Sequence, residues 1–175
     1  MTFPRTVGQV PIFYNERNTG RPYNPESKWT SRYIDEVNAP LYPFGYGLSY
    51  ATFMYGQPVA NVSYTAADTG KKHPKSPVTV QVAVTNTGKV AGEEVVQLYV
   101  RDLIGSVTRP LRELKGFQKV MLQPGESKTL TFTLKPEDLR FFRRDMSFGS
   151  EPGEYDIMVG GNSQDVKTVR VRLEK

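Results

Sequence analysis

The acid pairs Glu93-Glu94 and Asp35-Glu36, one histidine and a set of tyrosines and tryptophan are the side chains of this sequence to weigh for chemistry. Glu93-Glu94 is the conspicuous pair. Acid/base cleavage across a bound sugar needs two carboxyl groups roughly 5 to 9.5 Å apart that face one ligand. Glu93 and Glu94 fall in an alternating, strand-like run, and neighbouring strand residues point to opposite faces. They cannot address one substrate, and the expected role is strand entry with a solvated acid. Asp35-Glu36 lies in a coil-like stretch and reads as a solvated pair. His73, the one histidine, sits in the polar run Gly70-Lys71-Lys72-His73-Pro74-Lys75 with no evident orienting partner, so no nucleophile–base set can be assembled around it. No HExxH or comparable spacing of metal ligands occurs, and neither a metal nor a cofactor is expected. Gly45-Tyr46-Gly47 lacks the third glycine and preceding strand of a dinucleotide fingerprint; it is suited to bending the backbone between packed rings. The remaining chemistry is stacking. Trp29, Tyr23, Tyr33, Tyr42 and Tyr46 could lie against the apolar C–H face of a sugar, or could anchor the segment to a protein surface.

Composition narrows the classes. The 175 residues suit one domain plus an extension, and 38% hydrophobic with 11% aromatic content is enough for a buried core. Cysteine is absent, which rules out disulfides and thiolate metal sites. The sequence has no apolar run long enough for a membrane helix, and Met1–Thr6 is not followed by the apolar stretch of an export leader, so any such signal would lie upstream. The net charge of +5 does not form a basic stripe: the densest cluster, Arg140, Arg143 and Arg144, is flanked by Asp138 and Asp145. Neither nucleic acid nor a membrane is an expected partner.

The elements that must position these side chains divide the chain near residue 54. Residues 1–54 carry six prolines, many rings and no sustained periodicity, ending in the strap Pro40-Leu41-Tyr42-Pro43-Phe44-Gly45-Tyr46-Gly47-Leu48-Ser49-Tyr50. The strap is too rich in Pro and Gly for a helix and too apolar for a free linker, so its rings must press onto something. From residue 55 onward the period is two. Val78, Val80, Val82 and Val84 share a face, as do Leu130, Phe132 and Leu134, then Tyr155, Ile157 and Val159, then Val169, Val171 and Leu173. The run 94–101 is apolar on both faces over part of its length, which predicts a central strand. With weaker runs at 58–66 and 112–121, about seven strands are expected, separated by the turns Gly70-Lys71-Lys72, Gln123-Pro124-Gly125-Glu126, Glu151-Pro152-Gly153 and Gly160-Gly161-Asn162. This pattern predicts an all-β, immunoglobulin-like antiparallel sandwich of the fibronectin type III kind, with one helical turn at Pro136–Leu139.

The strap resembles the aromatic segment near the C-terminal end of glycoside hydrolase family 3 β-glucosidases. Met1–Pro11 is similar to the last stretch of their second, α/β domain. Asn18-Thr19-Gly20-Arg21-Pro22-Tyr23 and Ser31-Arg32-Tyr33-Ile34-Asp35 are similar to the linker of the periplasmic members. Val84–Gly88, Gly92–Val100, Arg109–Phe117 and Leu122–Glu126 are similar to their terminal fibronectin type III-like domain. The resemblance implies that residues 1–54 are the end of an upstream α/β domain and a linker, and that 55–175 are the sandwich. It implies a periplasmic or secreted location, and a parent that releases terminal β-D-glucosyl residues with retention. The parent's nucleophile and acid/base would lie on upstream domains, so no catalytic residue is assigned here. The expected role is structural, with Tyr42, Phe44, Tyr46, Leu48, Tyr50 and Phe53 packing against the upstream catalytic domains and Arg21, Tyr23 and Trp29 as peripheral contacts to substrate. Two other roles stay open: a carbohydrate-binding module for β-glucan or oligosaccharide, and an interaction or dimerisation module.

Overall fold

A computed structural model describes residues 1–21, 23–24, 26–61 and 77–173. His73 and the expected turn at Gly70-Lys71-Lys72 lie outside the described residues, as does the end of the weak run 58–66. Two antiparallel sheets face each other. In the first, β1 (Phe53–Tyr55) and β2 (Val59–Asn61) follow one another along one edge of β3 (Val78–Asn86), and β6 (Ser127–Leu134) lines the other edge. The interruption between β1 and β2 falls at Gly56-Gln57-Pro58, where proline has no N–H to give to a ladder. The second sheet has the order β10 (Val166–Leu173), β9 (Gly153–Gly160), β4 (Gly92–Asp102), β5 (Glu113–Leu122). A ribbon of two-residue strands, β7 (Phe141–Phe142) and β8 (Phe148–Gly149), stands apart. With β1 and β2 taken as one broken strand and the ribbon set aside, the described residues hold the seven strands expected. The sandwich is therefore as the alternation predicted, and the expected turn at Pro136–Leu139 is a 3-10 helix.

The core is the sum of the inward faces. Val78, Val80, Val82 and Val84 of β3 meet Val96, Leu98 and Val100 of β4, with Phe132 and Leu134 of β6, Ile157 and Val159 of β9, and Val171 and Leu173 of β10. Burial of each such side chain contributes about 1.5–3 kcal/mol. A polar clip closes one end. Asn86, fully buried at the end of β3, donates from Nδ2 to the carbonyls of Val90 (2.8 Å) and Leu122 (3.0 Å), while its Oδ1 accepts from the Gly88 amide (2.9 Å). One asparagine thus ties β3, the turn after it and the end of β5. The Gln123–Glu126 turn has the chemistry its sequence requires: proline second, then Gly125 at φ +76°, closed by the Glu126 amide on the Gln123 carbonyl at 2.9 Å.

Candidate functional site

The central strand β4 is buried on both sides, for different reasons. Val96, Leu98 and Val100 enter the core, whereas Gln97 and Tyr99 point outward and are buried by the N-terminal extension. Tyr14 lies edge-on to Tyr99, ring centres 5.9 Å apart, and its other face stacks on Phe44 at 4.3 Å. Gln97, 4% exposed, donates from Nε2 to the carbonyls of Gly45 (3.2 Å) and Gly161 (2.6 Å), and its Oε1 accepts from the Tyr99 hydroxyl. Gly45 has φ +81°, and a Cβ there would stand 2.0 Å from Gln97 Oε1. Only glycine lets the backbone lie so close to the sheet in that conformation. The Ser163 amide donates to the Phe44 carbonyl (2.9 Å), and the Leu111 amide to that of Glu16 (2.8 Å). The surface the strap was expected to press on is thus, on its inner side, the outer face of this chain's own sandwich.

The rest of the extension is held to itself. The Phe3 amide donates to the Tyr42 carbonyl at 2.9 Å, and that of Leu41 to Phe3 at 2.9 Å. Gln9 is buried, with Nε2 on the carbonyls of Val37 (2.8 Å) and Ala39 (3.3 Å) and Oε1 accepting the Arg5 amide. Residues 1–9 and 37–42 therefore form one polar-stitched corner.

The strap residues separate into two groups. Phe44 turns inward onto Tyr14, and Phe53 turns inward onto the sandwich core, so these two rings are engaged within the chain. Tyr42 and Tyr46 stack on each other at 5.3 Å and remain half exposed. Leu48 is 92% and Tyr50 100% exposed. Arg21, Tyr23 and Trp29 do not converge on one pocket: Tyr23 lines an open groove of about 500 Å³ with Arg32, Tyr33, Asp35 and Glu36, whereas Trp29 and Arg21 lie outside its lining. Trp29 is 77% exposed with Lys28 Nζ 5.1 Å from its ring centre.

The acids behave as alternation requires. Glu93 points out and pairs with Lys119 at 2.5 Å. Glu94 points inward at the end of the sandwich and accepts the Tyr55 hydroxyl at 2.5 Å. Burial raises the Glu94 carboxyl above the ordinary range, partly offset by that hydrogen bond, and burial together with the Glu94 charge pushes the Tyr55 phenol up. At the opposite end Asp102, raised by burial, lies beside Arg109 and Glu113; Arg109 pairs with Glu113 and covers the Phe141 ring at 4.3 Å. The arginine cluster is tied into the fold: Arg143 bonds the Ser150 carbonyl and Arg140 lies 3.6 Å from Glu137. Among the described residues no group of acids or histidine is arranged to hold a metal, and none of their helices is long and apolar enough to cross a membrane. Gln97 and Tyr14 were missed by sequence reasoning; the one signal for Gln97 was a polar residue in a run apolar on both faces.

Comparison with known proteins agrees with this architecture. A model of the fibronectin type III-like domain matches residues 94–163. A periplasmic β-glucosidase of Salmonella typhimurium is 49% identical over 169 residues, 95% of this chain and 21% of that protein. A β-xylosidase of Formosa agariphila is 46% identical, over 99% of the chain and 23% of its own length. The crystal structure of a Listeria innocua β-glucosidase in complex with glucose superposes with a TM-score of 0.87 at 39% identity, covering 100% of this chain and 24% of that one. The chain spans about a fifth of the length of these curated relatives. Fold and match together define a fibronectin type III-like domain preceded by an aromatic-rich N-terminal extension. The chain is similar to the part of these enzymes, about a fifth of their length, that includes the fibronectin type III-like domain.

Proposed function

We propose that the chain is a non-catalytic packing module of a longer, retaining β-glucosidase exported to the periplasm or beyond. Residues 1–54 would complete an upstream α/β domain and carry the strap, and residues 55–175 would be the module proper. The observation that supports this reading is the two-sided strap. Its inner side is fastened to the sandwich through Phe44 and Gly45, while Leu48 and Tyr50 are left almost wholly in water beside the half-exposed Tyr42 and Tyr46. A segment held that firmly and presenting apolar side chains outward is suited to docking on a second protein surface. The natural occupant is the upstream portion of the same polypeptide, given the periplasmic β-glucosidase of which the chain matches 21%. Arg21, Tyr23 and Trp29 are proposed as peripheral contacts to the glycoside, with Tyr23 best placed because its groove also offers Tyr33, Arg32 and two carboxylates.

The test is a pair of measurements on one variant. Leu48→Ala with Tyr50→Ala should lower the melting temperature of the longer enzyme by several degrees, since burial of each side chain is worth about 1.5–3 kcal/mol. The same double variant should leave the isolated chain unchanged, because both side chains are exposed there. Equal melting temperatures for the longer enzyme and its variant would sink the reading.

A further inference from the structure

At the end of the sandwich away from Glu94, a small cavity is lined by Val100, Asp102, Arg109, Glu113, Leu139 and Phe141 among others. It leaves about 10 Å³ for the centre of a guest molecule. That is about the room one water needs, and far too little for an organic ligand. We infer that a single internal water is bound here, donating to Asp102 and accepting from Arg109, and that it seats the loop 103–112 that clamps the N-terminal extension.

Hydrogen-bond inventory carries the inference. Both oxygens of Glu113 are taken, one by Arg109 and the other by Lys115 at 2.7 Å. Asp138, also in the lining, accepts the Lys135 amide at 2.7 Å. Two buried side-chain atoms of the lining residues take no hydrogen bond from the protein: Asp102 Oδ2 and Arg109 Nε. One is an acceptor and the other a donor, and leaving either dry is costly. They make no direct bond, because each side chain is held elsewhere. The Arg109 guanidinium is drawn to Glu113 and lies 4.3 Å from the centre of the Phe141 ring, which fixes where Nε points. The Asp102 carboxyl accepts the Ile104 amide on Oδ1 at 3.2 Å. Water supplies both missing halves, a lone pair for the N–H and a proton for the carboxylate. A cation has no lone pair to offer Nε, and an anion would face Asp102 and Glu113. Among the described residues no acids are gathered to hold a metal. Gly105 keeps the space open: a Cβ there would stand 3.0 Å from Arg109 Cγ and 3.1 Å from both Asp102 Oδ2 and the Val107 carbonyl oxygen. The loop that springs from this knot is the one that holds the extension. Asp102 fixes its start through Ile104, Pro110 beside Arg109 bridges to Arg17, and the Leu111 amide donates to the Glu16 carbonyl at 2.8 Å. A water between Asp102 and Arg109 thus ties the start of the loop to its end.

The test is a crystal structure of the chain sharp enough to show ordered water, with amide exchange at Leu111 as the reporter of the loop. One density peak within about 3 Å of both Asp102 Oδ2 and Arg109 Nε is expected. Arg109→Lys keeps a positive charge for Glu113 but has no N–H midway along its stem. It should lose the peak and lower Leu111 protection by about tenfold, the equivalent of one hydrogen bond. Asp102→Leu should do the same; should that variant fail to fold, the density and Arg109→Lys decide. A dry cavity, a direct Asp102–Arg109 bond, a peak surrounded by the six or more oxygens of a bound cation, or unchanged Leu111 protection in Arg109→Lys would each overturn the proposal. Because the longer enzyme takes no part in these measurements, their outcome is separate from that of the packing test.

Discussion

Gly45→Ala should release the strap from the sandwich, by an amount that depends on Gln97. Two costs add. A non-glycine residue at φ +81° is disfavoured by about 1–2 kcal/mol. The new Cβ would also stand 2.0 Å from Gln97 Oε1, and Gln97 can yield only by giving up its bonds to Tyr99, Gly45 and Gly161. At about 0.5–1.5 kcal/mol each, loss of two of the three adds about 1–3 kcal/mol. The expected total is roughly 2–5 kcal/mol of strap docking. The reporter is amide exchange at Ser163, whose N–H donates to the Phe44 carbonyl and is freed when the strap lifts. Its protection should fall by about 30- to 4,000-fold, each 1.4 kcal/mol being about a factor of ten. A double-mutant cycle isolates the contact. In a Gln97→Ala background the steric cost disappears, and Gly45→Ala should then cost about 1–2 kcal/mol from φ alone. Equal effects of Gly45→Ala in both backgrounds would refute the idea that the strap is seated on Gln97.

Three further outcomes are expected. Asn86→Ala removes the clip joining β3 to the end of β5 and leaves buried carbonyls unpaired, which should cost about 2–4 kcal/mol in urea unfolding; a change below 1 kcal/mol would mean that water replaces the side chain. Glu94 has a folded-state pKa raised above its unfolded value, so the folded form binds the extra proton and stability falls as pH rises from the ordinary glutamate range through the raised value. Glu94→Gln, which keeps an acceptor for Tyr55, should flatten that decline and raise stability at neutral pH; unfolding midpoints across pH 4 to 8 check it, and an unaltered slope would discount Glu94. Gly125→Ala should cost about 1 kcal/mol or slightly more from its φ of +76° alone, because nothing lies within 4 Å of the added Cβ; a much larger loss in thermal unfolding would point to a steric contact in the turn.

The sequence alone was enough to specify the sandwich, because strand alternation is a local property. Four valines spaced by two in β3, and the apolar alternations of β6, β9 and β10, each have one stable way to leave water, and the turns between them carry their own proline and glycine chemistry. It also determined that Glu93 and Glu94 cannot cooperate, since adjacent strand residues diverge. The strap was legible as a segment in need of a surface, but the surface was not. That Gln97 and Tyr99 face outward and are nevertheless buried depends on residues more than fifty positions away in sequence, and no periodicity reports such a contact. Composition likewise could not separate Phe44 and Phe53, which turn inward, from Leu48 and Tyr50, which turn outward. In irregular backbone the direction of each side chain is set by φ and ψ at every step, and the left-handed bend at Gly45 directs the residues that follow it. A groove beside the strap arose the same way: its lining comes from three separated stretches of chain, within 45–55, 93–95 and 161–165, which only the packing of strap against sandwich brought together.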